Sequence, residues 1–427
     1  MNRLGFARNI APSLTSGPWS QTFIETTLIR RLPASLHKHA PSIATQLLFH
    51  KTGQYAPSTK AVARSLLLCD GFERAYLYCQ KNNIWPSPDL THPQMAPVAA
   101  FAGLDLPQLS TVKDLADWLF LPINRLEYLA DLHDRFEDHG ETAINHYHYV
   151  FQKKKSGQQR VIEAPKQNLK SLQRQILTGI LDKIPHHDAA FGFVKGRNCV
   201  QAAAKHVHQE VVVCFDLKEF FPTISAGRAF GLFRCLGYPH AVARCLTGLC
   251  TTSTPARILA RLGSDEKRTY RSPHLPQGSP ASPALANHIC FALDRRLSAM
   301  AHSLDMNFHR YADDLSFSGS RQNAAALLRA VPDVVDDAGF TLNHAKTRAM
   351  RNGSRQVVTG VVVNDHLNID RQTYDRLKAI IHACRKPDGH RLNDHRFRAE
   401  LLGKIDWVET VNPARGAKLM QLLEQAG

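Results

Sequence analysis

NFHRYADDLSFSGS, residues 307–320, reads as two short strands joined by a tight turn, and the turn carries Asp313 and Asp314. Phe308, Tyr311 and Phe317 suit extended backbone, whereas paired aspartates suit a turn. Upstream, EVVVCFDL, residues 210–217, is a Val-rich apolar run that reads as a buried strand ending on Asp216. A strand-end carboxylate facing a turn with two more is a rigid way to build a site for cations. An aromatic–x–Asp–Asp tetrapeptide arises by chance in roughly one chain of this length in ten. Its meaning therefore rests on its surroundings.

Further outward, residues 1–90 have helical character. TKAVARSLLLCDGFERAYLYCQKN, 59–82, has apolar residues at helical spacing, with Gly71 as an interruption. Pro86, Pro88, Pro93, Pro97 and Pro107 mark 86–108 as a connector. Ser110 and Asp114 resemble a helix start before LADWLF, and NRLEYLADLHDRF continues the pattern. From 145, HYHYVFQ and QRVIEAP read as strands around a basic turn, KKKSG, and so predict a hairpin with a positive tip. QNLKSLQRQILTGILDKI, 167–184, and NAAALLRAVPDVVDDAGF, 323–340, read as helices, the second with Pro332 inside it. VVTGVVVN, 357–364, reads as one more apolar strand, and the chain after Asp370 as helical.

The 427 residues carry a formal net charge of +16 with 44% hydrophobic content, which suits a globular core and a polyanionic partner, most simply nucleic acid. Nine scattered cysteines without a CxxC pair argue against a zinc module and for reduced thiols in the cytoplasm. No apolar run approaches the roughly 20 residues of a membrane span, so no membrane partner is expected. None of the histidines, including His186, His187, His206 and His208, falls in a HExxH pattern.

An ordered series of motifs resembles the reverse transcriptases. Phe215 to Pro222, FDLKEFFP, looks like their first catalytic motif, and Leu275 to Pro283, LPQGSPASP, like the loop under the incoming nucleotide. Tyr311-Ala312-Asp313-Asp314 looks like the second catalytic motif. Gly339-Phe340 through Asn343 and Lys346 resemble the next one, whose lysine lies near the triphosphate. Among reverse transcriptases the resemblance is to retron-type bacterial enzymes. It rests on Phe191 to Asn198 (FGFVKGRN), on Ala203 and His206 within AAAKH, and on Val358-Thr359-Gly360. At Ala202 these enzymes carry Asn.

The resemblance implies an α+β right-hand polymerase fold with fingers, an antiparallel-sheet palm and a helical thumb. The expected division is 1–105 as an N-terminal helical extension, 106–365 as fingers and palm, and 366–427 as thumb. Asp216, Asp313 and Asp314 are the expected catalytic residues, and Asp216, Leu217, Asp313 and Asp314 the metal positions. Asp216 and Asp313 would be the direct ligands of two Mg2+ ions, with Mn2+ as an alternative and Asp314 in support. Carboxylates suit hard cations about 3.5–4 Å apart in nucleotidyl transfer. Arg160 would grip the triphosphate, with Lys153, Lys154 and Lys155 nearby. Lys346 would act on the leaving pyrophosphate. Phe221 would crowd the sugar 2′ position, on the reasoning that alternation sends Phe220 and Phe221 to opposite sides. Gln277 can hydrogen-bond a sugar or base, and Gly278 lets the backbone approach closely.

Lys195, Arg197, His206, Val358, Thr359 and Gly360 are the expected RNA contacts, His206 being either RNA-facing or structural. The implied partners are a cognate non-coding RNA serving as template and primer, deoxynucleotides, the RNA–DNA product and an effector protein. The implied role is antiphage defence. Other bacterial reverse transcriptases (group II intron-like, diversity-generating or untemplated defence polymerases) and a non-catalytic RNA-binding scaffold are the competing readings.

Overall fold

The computed structural model describes residues 1–50, 57–87, 93–131, 145–153, 159–384 and 390–425. The expected hairpin tip with Lys154 and Lys155, Pro88, and the end of the 124–136 helix lie outside them. The chain forms two compact units, Met1–Pro185 with Phe221–Ile289, and His186–Phe220 with Cys290–Gly427. The expected boundaries at 105 and 365 fall inside these units.

The first unit opens with helices Arg3–Leu14, Gln21–Arg31, Ala40–His50, Thr59–Leu66 and Asp70–Asn82. Asn2, Ser20 and Ser58 start three of them, each side chain accepting a hydrogen bond from an otherwise unpaired amide of the first turn. Their apolar faces enclose a core containing Phe6, Ile10, Leu28, Ile43, Leu66 and Phe72. Each such buried side chain contributes about 1.5–3 kcal/mol. The break between the last two helices falls at Leu67–Cys69, not at Gly71. Gly71 lies within the last helix, where a Cβ would come within 2.9 Å of Ile43 Cγ1, so it serves close packing.

The helix expected from Ser110 begins one residue later. Thr111 and Asp114 cap it reciprocally over Val112–Trp118, and Asp114 also accepts from the Ser110 amide. Strands β1 (Tyr147–Lys153) and β2 (Gln159–Pro165) pair antiparallel, with Tyr147 opposite Pro165. Helix Gln167–Gly179 follows, and Ala226–Cys235, His240–Cys250 and Ser282–Ile289 are among the unit's further helices.

The second unit is built on an antiparallel sheet of β3 (Val211–Asp216), β4 (Asn307–Tyr311), β5 (Asp314–Gly319) and β6 (Arg348–Arg351), in the order β4-β5-β3-β6. All six residues of β3 are buried, as its continuous apolar run requires. Helices Phe291–Ser303 and Arg321–Asp337 pack on the sheet, the second holding Pro332 within it. The segment expected as one strand at 357–364 is instead a hairpin of β7 (Val357–Val358) and β8 (Val361–Val362). Thr359 and Gly360 turn the chain at φ of 49° and 85°. Helices Arg371–Cys384, His395–Val411 and Pro413–Glu424 close around Val358, Val361, Leu377, Ile405 and Leu419.

Candidate active site

The second unit brings the three expected carboxylates together. Asp216 ends β3 and stands opposite Asp314, the first residue of β5. Asp313 lies in the turn between β4 and β5, beside Ala312 at φ 57°. A left-handed residue with a Cβ costs about 1–2 kcal/mol and persists only when its surroundings hold it. Three backbone bonds fix the end of β3. The Leu217 amide donates to the Asp313 carbonyl (2.9 Å), that of Asn343 to the Asp216 carbonyl (2.8 Å), and that of Lys218 to Thr341 (2.7 Å). Leu217, expected among the metal positions, is buried and spends its amide on the turn.

The electrostatics of this cluster suit cations. Burial pushes the Asp314 carboxyl up to about 6, and Asp313 and Asp216 push the same way. Asp314 nonetheless reaches solvent, so the neighbouring negative charges are the part of that shift a cation can relieve. Lys346 places Nζ 2.6 Å from Asp216 Oδ1 and supplies such a charge. Among the described residues no three His, Cys, Asp or Glu side chains form a metal cage as posed. The donor set of crowded carboxylate oxygens, one already drawing an ammonium, fits a hard divalent ion.

Beneath the turn lies a pair that the sequence did not signal. Arg310 is fully buried, with Nε and Nη2 each 2.7 Å from the two carboxylate oxygens of Asp294. Its Nη1 donates to the Ala312 carbonyl at 3.0 Å. Burial opposes the Arg310 charge, and Asp294 overcomes that opposition and raises its pKa.

The first unit carries the other expected nucleotide residues. Gly278 has φ 136°, and a Cβ there would meet the Glu163 carbonyl oxygen at 3.0 Å. The Glu163 amide donates to the Gln277 carbonyl at 2.8 Å, so the loop is fastened to β2. Ser279 donates to Gln173 Oε1 (2.8 Å), and Gln173 donates onward to the Leu249 carbonyl (2.8 Å). Below the loop, buried Glu163 accepts from Thr254 (2.7 Å) and pairs with His274 at 2.9 Å. Burial works against a His274 charge, but Glu163 prevails and raises its pKa. Gln277 is half-buried, as is Arg160 on β2. Phe220 is 4% exposed and stacks on Phe340, while Phe221 is half-buried. They lie on one helical turn, Phe220–Thr223, so helical rotation rather than strand alternation separates them.

The expected RNA contacts divide. Lys195 is exposed. Arg197 instead turns inward, donating to the carbonyls of His187 (2.8 Å), Asp188 (3.2 Å) and Ala190 (2.7 Å). Val358 is buried, and Thr359 donates to the Cys199 carbonyl at 3.0 Å, at the start of helix Cys199–Ala204. Gly360 completes the turn that makes this possible. His206 is fully buried, which excludes an RNA-facing side chain and leaves the structural alternative. Its Nδ1 lies 2.7 Å from Ser318 Oγ and its Nε2 2.6 Å from His309 Nδ1, tying the segment after that helix to β4 and β5.

This pair has a pH consequence. Burial lowers His206 from 6.5 to about 3, with Lys205 adding to the effect, and burial also holds His309 well below its usual range. Both are thus neutral when folded and take up protons on unfolding below pH 6.5. Their stabilisation is complete above that pH and is lost as pH falls toward 3. At pH 5 the loss is about 2 kcal/mol for His206. Urea titrations at pH 7.5 and 5 are expected to show a lower midpoint at pH 5 and a weaker pH dependence in His206→Gln. An equal dependence in both proteins would contradict this account.

Residues 152–378 match the family model for reverse transcriptase (RNA-dependent DNA polymerase). The chain is 36% identical over 334 residues to the Retron Mx65 reverse transcriptase of Myxococcus xanthus, covering 77% of this chain and 75% of that one. It is 34% identical over 337 residues to the Retron Mx162 reverse transcriptase of the same organism, covering 75% and 68%. It is 30% identical over 286 residues to the Retron Ec86 reverse transcriptase of Escherichia coli, covering 66% and 80%. The chain belongs to the retron-type reverse transcriptases and is an RNA-directed DNA polymerase. Its fold is the right-hand polymerase fold of that family, whose members use divalent metal ions.

Proposed function

We propose that this polymerase copies a cognate structured non-coding RNA into branched DNA that stays joined to its RNA, and that it does so in antiphage defence, in the cytoplasm, with an effector protein. The observation that carries the chemistry is the pairing of Asp216 with Asp314 across β3 and β5, with Asp313 in the adjoining turn. Asp216 and Asp313 would hold two Mg2+ or Mn2+ ions, with Asp314 supporting them. When bound, such ions make a hydroxyl a better nucleophile and neutralise a leaving pyrophosphate. Lys346, which donates to Asp216 Oδ1, would exchange that contact for the triphosphate. Phe221 screens the sugar, Gln277 and Gly278 line the nucleotide, and Arg160 grips phosphate. Exposed Lys195 would meet the RNA backbone, while Arg197 holds its own loop, Thr359 ties the Val358–Gly360 turn to the start of helix Cys199–Ala204, and buried His206 has a structural part. The priming group is an internal guanosine 2′-hydroxyl of the RNA.

Sequencing the nucleic acid that co-purifies with the protein tests this reading. One structured RNA joined through a 2′ branch to complementary DNA is expected. Recovery of an intron, a variable repeat or untemplated DNA would replace the retron role with another one.

A further inference from the structure

Arg310 has no part in the chemistry proposed above, yet it is the largest fully buried side chain of the described residues and lies under the catalytic turn. We propose that Arg310, locked by Asp294, is a positioning residue that sets the backbone of the Ala312–Asp314 turn, and that Gly192 packs against the same turn to complete the clamp. The proposal rests on the reading of Asp313 as a metal ligand.

The guanidinium is a planar fork, so fixing two of its nitrogens fixes the third. Asp294 fixes Nε and Nη2 at 2.7 Å each, and the remaining Nη1 is aimed at the carbonyl of Ala312, the residue held at φ 57°. Asp313 follows directly, so the direction of that carbonyl sets where its carboxylate begins. Gly192 meets the same peptide: a Cβ there would come within 2.4 Å of the Ala312 nitrogen and 3.1 Å of the Tyr311 carbonyl carbon. Both neighbours are backbone and cannot swing aside. Flanking bonds from Phe191 N to Arg310 O (2.8 Å) and from Arg310 N to Ala189 O (2.7 Å) keep this segment beside β4. A buried ion pair is a poor way to gain stability compared with apolar packing, so its stability alone does not explain it. A third hydrogen bond to a strained carbonyl does.

The test uses the full-length protein, with Mn2+ as the probe. Arg310→Lys cannot hold Asp294 at two points and also reach Ala312. It is expected to weaken Mn2+ binding, read from the electron paramagnetic resonance of the free ion, about 10-fold or more. It is also expected to slow primer extension per active site, counted from the first-turnover burst, about 10- to 100-fold. RNA affinity should stay unchanged. Gly192→Ala, which leaves the ion pair whole, should give the same pattern, and it decides the matter if Arg310→Lys does not fold. Lower thermal stability with wild-type Mn2+ affinity and wild-type rate per active site would overturn the positioning role. Asp313→Asn separates the two levels: undiminished Mn2+ binding in that variant would overturn the metal-site reading itself.

Discussion

Asp313→Asn and Asp216→Asn are each expected to reduce DNA synthesis about 10³-fold or more while leaving RNA binding intact. Asparagine keeps the shape and one acceptor oxygen but removes the charge a divalent ion requires. Asp216 is buried and bonded through Oδ1 to Lys346, so its replacement also loosens that lysine. Asp314→Asn should be milder, because Asp314 has only a supporting part in the proposed chemistry and is the carboxylate already pushed up to about 6. Asp313→Asn and Asp314→Asn should not lower the unfolding temperature much, since each relieves repulsion between neighbouring carboxylates, whereas Asp216→Asn also gives up its ion pair with Lys346. Single-turnover extension and filter binding of RNA measure the two sides. Near-normal synthesis in Asp313→Asn would remove these carboxylates from the chemistry.

Phe221→Ala is expected to lower the preference for deoxynucleotides over ribonucleotides about 10²-fold in kcat/KM. The loss should come mainly from faster ribonucleotide use, because rejection by steric bulk costs the correct substrate little. Phe220 shows the contrast. It is buried against Phe340, and Phe220→Ala should cost stability without changing sugar choice. Phe221 is only half-buried. Slower use of both nucleotide types at an unchanged ratio would make Phe221 a packing residue.

The strands of the catalytic sheet were legible because their patterns are local: a Val-rich run ending on Asp216, and aromatic residues on both sides of an Asp pair. The loop at 275–283 was legible as a turn for the same reason, but Gly278 was read as approaching a ligand, and the close approach the structure shows, at φ 136°, is to the Glu163 carbonyl. What was not legible depends on distant partners. His206 invited an RNA-facing reading until its hydrogen-bond partners, 112 and 103 residues away, closed around it. Arg197 reads as a phosphate ligand in sequence but finds three carbonyls within its own loop. Arg310 sits in a strand where nothing local announces Asp294. VVTGVVVN looked like one strand because its Val content outweighed the signal of Gly360. Gly71 looked like a break because close packing on Ile43 leaves no trace in a single sequence.

The most direct measurement supplies purified protein with an RNA template, a primer and four deoxynucleotides, and sequences what is made. DNA complementary to the template, absent in Asp313→Asn, is the predicted result. No DNA, or DNA whose sequence ignores the template, would contradict the account.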